Sequence, residues 1–231
     1  KSLKVPVVLE PGEGGILLHE TLGHALESDL FLNGPLLRRS ISPLLTLRAM
    51  SFEDPFWASW TTDDTGQPSS DRQIIHGGRI LSTIGPSPRP DLLEGSAGFL
   101  RRSSLHQPFL PRMFGLYLAP GAACPEAIQD LPLGIQAQAF GTGRVSPERN
   151  HYIFEVMQGH WIHRGRPGPP TGPFLMEGTI TDALEGIEAL GNDFALDRGT
   201  CFCTKRGQTI PIRLGQPSLR LHRATIHPWH P

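Results

Sequence analysis

Apolar positions follow two different periods along this chain, and each predicts its own kind of element. Between Gly14 and Asp29, Leu18, Leu22, Ala25 and Leu26 fall in one stripe of a helix drawn at roughly 100° per residue, which predicts a helix over that segment. Before it, Lys4 to Leu9 reads as a strand and Pro11-Gly12 as a turn. Beyond Arg112 the alternation is that of strands, predicted at Phe114 to Ala119, Gly134 to Ala139, His151 to Gln158, Trp161 to His163, Phe174 to Ile180, Cys201 to Thr204, Thr209 to Leu214 and Ser218 to Ile226. Two further helices are predicted, Pro125 to Leu131 with proline at its first position, and Thr181 to Leu190 with Thr181 as cap and Gly191 as terminator.

From Leu30 to Pro111 the pattern is irregular, punctuated at Gly34-Pro35, Gly66-Gln67-Pro68 and from Gly85 to Pro90. A hairpin is expected there, Gln73 to Ile75 and Arg79 to Leu81 around His76-Gly77-Gly78, and the tract from Ile84 to Ser104 is expected to be mobile. Mostly strands with few helices predicts an α+β fold, largely antiparallel sheet with a motif-bearing helix near the N-terminus. Residues 1–110 then form a motif-helix and loop-rich part, and 111–231 a strand-rich part. With 231 residues, 38% of them hydrophobic, one sizeable core or two smaller ones can form.

The polar side of the first helix carries the chemistry. His19, Glu20, His24 and Glu27 fill an arc of about 140° beside the apolar stripe, and Gly23 projects into that arc at a cost of about 1 kcal/mol in a helix interior. Two imidazoles and a carboxylate suit a zinc site with Glu20 as general base. The histidines are five apart rather than four, however, so they diverge on a regular helix. They converge only if the turn widens, as in a π-bulge, or kinks at Gly23, and that distortion is predicted.

Other tempting residues weigh less. Gly141-Thr142-Gly143 reads as a turn, lacking the further glycine of a dinucleotide loop. His160 and His163 read as a solvated edge, His222, His227 and His230 lack a ligand constellation, and Ser103-Ser104 lacks a histidine-acid partnership. A formal charge of −1 and a pI near 6.9 give no electrostatic pull toward nucleic acid or anionic membrane. No apolar run is long enough to span a bilayer, and three cysteines make a poor disulfide framework, so a cytoplasmic location is expected.

Pro11-Gly12, Gly15 to Glu20 and Gly23 to Asp29 together resemble the signature of the TldD/PmbA metalloprotease family, in its metal-bearing TldD type. Asp63 to Gly66, Arg101-Arg102, Pro111 to Met113, Gly191 to Asp193, Cys203 to Gln208 and Gly215 to Pro217 follow in that family's order, so the resemblance covers nearly the whole chain. It implies a zinc peptidase acting on small or unfolded peptides, with His19, His24 and a C-terminal cysteine as ligands and Glu20 as base. Cys203 matches that cysteine's surroundings better than Cys201, although a strand would point both to one face. Glu27 is a rival third ligand or an acceptor that fixes a histidine ring. The resemblance puts Arg101-Arg102 near substrate, whereas their residue type alone suggests solvated surface. It also implies a dimer, with a second copy or with a metal-free PmbA-type subunit, and an N-terminal region ahead of the motif, so that a fragment or a truncated homologue is expected here. Two alternatives remain: a peptide-binding or assembly module without catalysis, and a purely structural metal closed by Cys201 or Glu27.

Overall fold

The computed structural model describes residues 2–31, 40–50, 61–199 and 201–229. The Gly34-Pro35 turn and His230 lie outside the described residues.

Inward residues at alternate positions build a closed ring of five strands. Leu3–Leu9 pairs in parallel with Leu133–Ser146, Val7 beside Ile135, and antiparallel with Leu219–Pro228, Leu9 beside Leu219. The chain then runs from Leu133–Ser146 through an antiparallel hairpin into His151–His163, from there to Phe174–Thr179, and back to Leu219–Pro228. Phe154, Met176, Ile226 and Val7 from four successive strands all turn into one core. Closing the ring leaves few free edges. Closure was not legible in the alternation, because period two shows which face of a strand is buried and not which strands meet.

A second sheet runs in the order Ala195–Leu196, Arg213–Gln216, Gly115–Leu118, Leu47–Met50, Arg72–His76 and Arg79–Ile80. The expected hairpin is present in it, with Gly77 and Gly78 at φ +54° and +78°, the left-handed turn that glycine adopts without strain. The motif helix lies between the two sheets. Its first turn packs on Arg213–Gln216 and Gly115–Leu118, and its middle against Leu133–Ser146. The fold is thus α+β with mostly antiparallel pairing, as expected, and the Leu3–Leu9 strand of the N-terminal part is built into the barrel of the C-terminal part.

Several expected elements differ. The motif helix stops at Leu26: Glu27 is extended (ψ 128°) and bridges to Ile84, and a separate turn of helix follows at Ser28–Phe31. The helix expected from Thr181 to Leu190 is Ile180–Glu185, capped by Thr179, whose hydroxyl accepts from the Asp182 amide. Ile187–Leu190 is instead a strand paired with Leu219–Pro228, since pairing of Ile187 with Leu221 and of Leu190 with Leu219 across the sheet overrides its helical period. Gly141 to Gly143 lies inside a bulged strand and is not a turn. The two strands expected on either side of Gly159 are one, His151–His163. Within Ile84 to Ser104, Glu94–Ser96 pairs with Ser82–Ile84, Leu100–Arg101 pairs with Leu110–Pro111, and Phe99 is fully buried.

Candidate metal centre

The middle of the motif helix is a π-helical turn, His19–Gly23, flanked by α-helical Gly15–Leu18 and His24–Leu26. The His24 amide donates to the His19 carbonyl five residues back, which is the widened turn that the five-residue spacing requires. The two imidazoles stand with ring centroids 4.7 Å apart and planes at 64°. Gly23 stands against Met113. A Cβ there would lie 2.9 Å from Met113 Cε and 3.0 Å from its Sδ, so the missing side chain makes room for Met113.

The third group arrives on the hairpin of Phe202–Lys205 and Gln208–Pro211. Cys203 Sγ lies 3.1 Å from His24 Nε2, and the ligand atoms of His19, His24 and Cys203 all fall within 4.8 Å of one another. Among the described residues this is the one group of three or more such side chains close enough to hold an ion. Cys201 is partly buried and lines the adjoining cleft but stands outside the group. His160 bonds Gln138, His222 bonds Glu188, and His227 is paired with Glu177.

Each imidazole is held through Nδ1. His24 Nδ1 lies 2.9 Å from Glu27 Oε2, which leaves Nε2 toward Cys203. His19 Nδ1 lies 3.2 Å from Met113 Sδ, while its buried Nε2 has no hydrogen-bond partner. Burial, then the charges of His24 and Arg112, hold His19 well below its ordinary value, so it is neutral at neutral pH. Burial also opposes charge on His24, but hydrogen bonds to Cys203 and Glu27 and their charge outweigh it and raise it to about 10. An ion at this site would displace that proton. An orphaned buried nitrogen, a second imidazole fixed by a carboxylate and a thiol make the donor set of a mixed His/Cys zinc site.

Glu27 is fully buried, with cations around it. Lys205 Nζ lies 2.8 Å from Glu27 Oε2 and 2.6 Å from Asp29 Oδ1, and Arg112 Nε lies 3.9 Å from Glu27 Oε1. Arg112 also donates to the carbonyls of Cys203 (2.7 Å) and Gln208 (3.2 Å), tying the cysteine hairpin to the helix. The sequence pattern does not single out Lys205, Arg112 or Met113 for this shell. The available signal was that Lys205 stands two residues after Cys203, on the same face of a strand.

Glu20 is partly exposed beside the orphaned nitrogen, its Oε1 3.8 Å from His19 Nε2. Its pKa is raised by burial and by Glu27, against an opposing pull from His24. With His24 it lines a cleft of about 730 Å³, walled by Phe140 to Gly143 of the barrel and by Phe202 and Thr204 of the hairpin. Arg101 is buried and donates to the carbonyls of Met113 (2.8 Å) and Pro211 (3.1 Å), and burial pushes it down to about 10. Arg102 stacks on Phe109, 4.4 Å from the ring centroid. Neither arginine is among the residues lining the cleft.

Comparison with known proteins follows the same lines. The chain is 29% identical over 229 residues to a metalloprotease TldD homologue of Buchnera aphidicola subsp. Schizaphis graminum, covering 96% of this chain and 47% of that protein. It is 25% identical over 235 residues to a zinc metalloprotease TldD homologue of Saccharolobus solfataricus, covering 98% and 52%. The fold matches the crystal structure of TldE from Thermococcus kodakarensis with a TM-score of 0.77 at 16% identity, over 99% of this chain and 51% of that one. The chain thus spans about half the length of the curated relatives it matches. Residues 2–227 fit the pattern of the PmbA/TldA metallopeptidase C-terminal domain, and the chain belongs to that family.

Proposed function

We propose that this chain is the metal-bearing half of a zinc-dependent peptidase, with His19, His24 and Cys203 as the protein ligands and Glu20 as the general base. The observation that carries this reading is the grouping of His19, its buried Nε2 lacking a hydrogen-bond partner, with His24 and Cys203 within 4.8 Å, beside a cleft that His24 and Glu20 line. Zinc held by such a set supplies a polarised carbonyl and a more acidic water. Glu20, at the cleft surface with its carboxyl raised by burial, takes the proton of the attacking water and passes it to the departing amine. Glu27, backed by Lys205, holds the His24 ring through Nδ1, so that Nε2, beside Cys203, is the nitrogen that would bind the ion once its proton is displaced.

The substrate is a small or unfolded peptide in extended form. Pairing between Leu3–Leu9 and Leu133–Ser146 ends at Leu9 beside Ala137, while Phe140 to Val145 runs on along the cleft. A strand edge over the catalytic glutamate suits backbone hydrogen bonding to an extended chain, with little demand on its side chains. The working assembly in this reading is a dimer, with a second copy or with a PmbA-type subunit.

The test is zinc analysis and peptide digestion on the full-length protein, with Glu20→Gln as comparison. The reading requires about one zinc per chain in both proteins, and peptide cleavage lost only in the variant. Equimolar zinc without any cleavage by the unaltered protein would instead favour a peptide-binding or assembly module. Equal function in both proteins would make the metal structural.

A further inference from the structure

The two histidines are backed by different chemistry. His24 has the expected carboxylate at Nδ1, whereas the nearest hydrogen-bonding atom to His19 Nδ1 is the thioether of Met113, 3.2 Å away and buried with it. Four observations converge on that sulfur. Gly23, in the widened turn itself, leaves the space that Met113 Cε and Sδ fill. Arg101, buried, grips the Met113 carbonyl at 2.8 Å. His19 is 1% exposed, so its Nδ1 faces protein rather than open solvent. Its Nε2 has no hydrogen-bond partner, Glu20 Oε1 standing 3.8 Å away.

We propose that Met113 is the positioning residue of the site: its sulfur accepts the Nδ1–H of His19 and so keeps the lone pair of that ring on Nε2, where an ion would bind. The inference rests on the zinc reading of this site and extends it to a residue that touches no ligand atom. An imidazole has two tautomers, and the nitrogen that carries the proton is set by what the other side of the ring can accept or donate. A thioether has no proton to give, so it accepts from Nδ1–H and disfavours the Nε2–H form. It is also uncharged and a weak acceptor. His19 is therefore oriented without gaining the added basicity that a carboxylate confers on His24. The pair then offers one strong and one weak nitrogen donor beside the thiolate, which withdraws less acidity from the ion than two carboxylate-backed imidazoles would.

The tautomer can be read directly in the metal-free full-length protein, by nitrogen NMR of histidine-labelled samples, with His19→Gln to assign the signal. Protonated Nδ1 and bare Nε2 on His19 are expected. A dominant Nε2–H form overturns the proposal whether or not the protein binds zinc, so this result stands apart from the zinc reading. Met113→Leu keeps the volume and removes the acceptor, and should mix the two tautomers and weaken zinc binding about 10–100-fold in chelator competition. Cobalt substituted for zinc should show a changed visible spectrum in that variant alongside the tautomer shift, and the shift is the readout that simple loss of packing would not produce. Unchanged tautomer and unchanged affinity in Met113→Leu overturn the proposal. If that variant fails to fold, the measurement on the unaltered protein decides alone.

Discussion

The Glu27 carboxylate reaches His24 Nδ1 at 2.9 Å from outside the helix that carries the histidine. The residues are three apart, but the backbone turns extended at Glu27, so its fully buried carboxylate is aimed back at the ring and on to Lys205. A continuous helix through Asp29 would have put the same side chain elsewhere on the polar arc. Ending the helix at Leu26, three residues short of Asp29, is what makes Glu27 a support for the ring.

Glu27→Gln should keep a hydrogen-bond acceptor at His24 while removing the charge that favours Nδ1–H. Zinc affinity is expected to fall about 10–100-fold, measured by competition with a chromophoric chelator. Glu27→Ala goes further by leaving Lys205, itself buried, with one carboxylate partner fewer. A stability loss of about 3–5 kcal/mol is expected for breaking a buried pair in this way, read by urea unfolding.

Gly23→Ala sets two effects against each other. Alanine gains about 1 kcal/mol of helix propensity, but its Cβ would stand 2.9 Å from Met113 Cε and 3.3 Å from Leu116 Cδ2. Both side chains are buried, so overpacking at about 1–3 kcal/mol prevails. The variant should unfold at a lower temperature in calorimetry; an unchanged or higher Tm would show that Met113 yields freely.

Asp197 lines the cleft with Arg213 Nη1 3.3 Å from its Oδ1. Burial raises its carboxyl above the ordinary 3.8, although the Leu214 amide and Arg213 pull it down. The charged form is then the less favoured one in the fold. Its contribution to stability is complete below 3.8 and declines as pH rises through the raised value. Asp197→Asn, which does not ionise, should gain on the unaltered protein as pH rises from 3.8 through the raised value, with the gap levelling off above it, in a series of urea titrations. A gap that stays constant with pH would refute this.

The three cysteines should separate by alkylation. Cys124 is exposed and should react first, whereas Cys203 is buried against His24. In zinc-loaded protein Cys203 should stay unmodified, and chelation should add a label there, located by peptide mass mapping. Labelling of Cys203 at the same rate with and without zinc would remove it from the ligand set.

Much of the local structure was legible because it rests on short-range rules. The Gly77-Gly78 hairpin, the Pro125 helix start and the alternation of Tyr152, Phe154 and Val156 all follow from residue type and spacing. Ile187–Leu190 was not legible, since its strand character comes from Leu219 and Leu221 across the sheet. Arg101 was equally opaque. Its residue type suggests surface, whereas in the fold it donates to the carbonyls of Met113 and Pro211 and lies over the Phe114 ring, 4.3 Å from its centroid.

The order of residues by itself determined the chemistry available here and one geometric demand: two imidazoles five apart need a wider turn than an α-helix provides, because the angle between side chains depends only on the number of residues per turn. Tertiary structure decided how Cys203, 179 positions from His24, comes to meet them, and what each ring leans on, Glu27 for one and Met113 for the other. Those choices belong to the packing of a hairpin and a second sheet against the helix. A hydrogen bond is settled by distances of a few tenths of an ångström, and spacing along a chain sets such distances only between near neighbours.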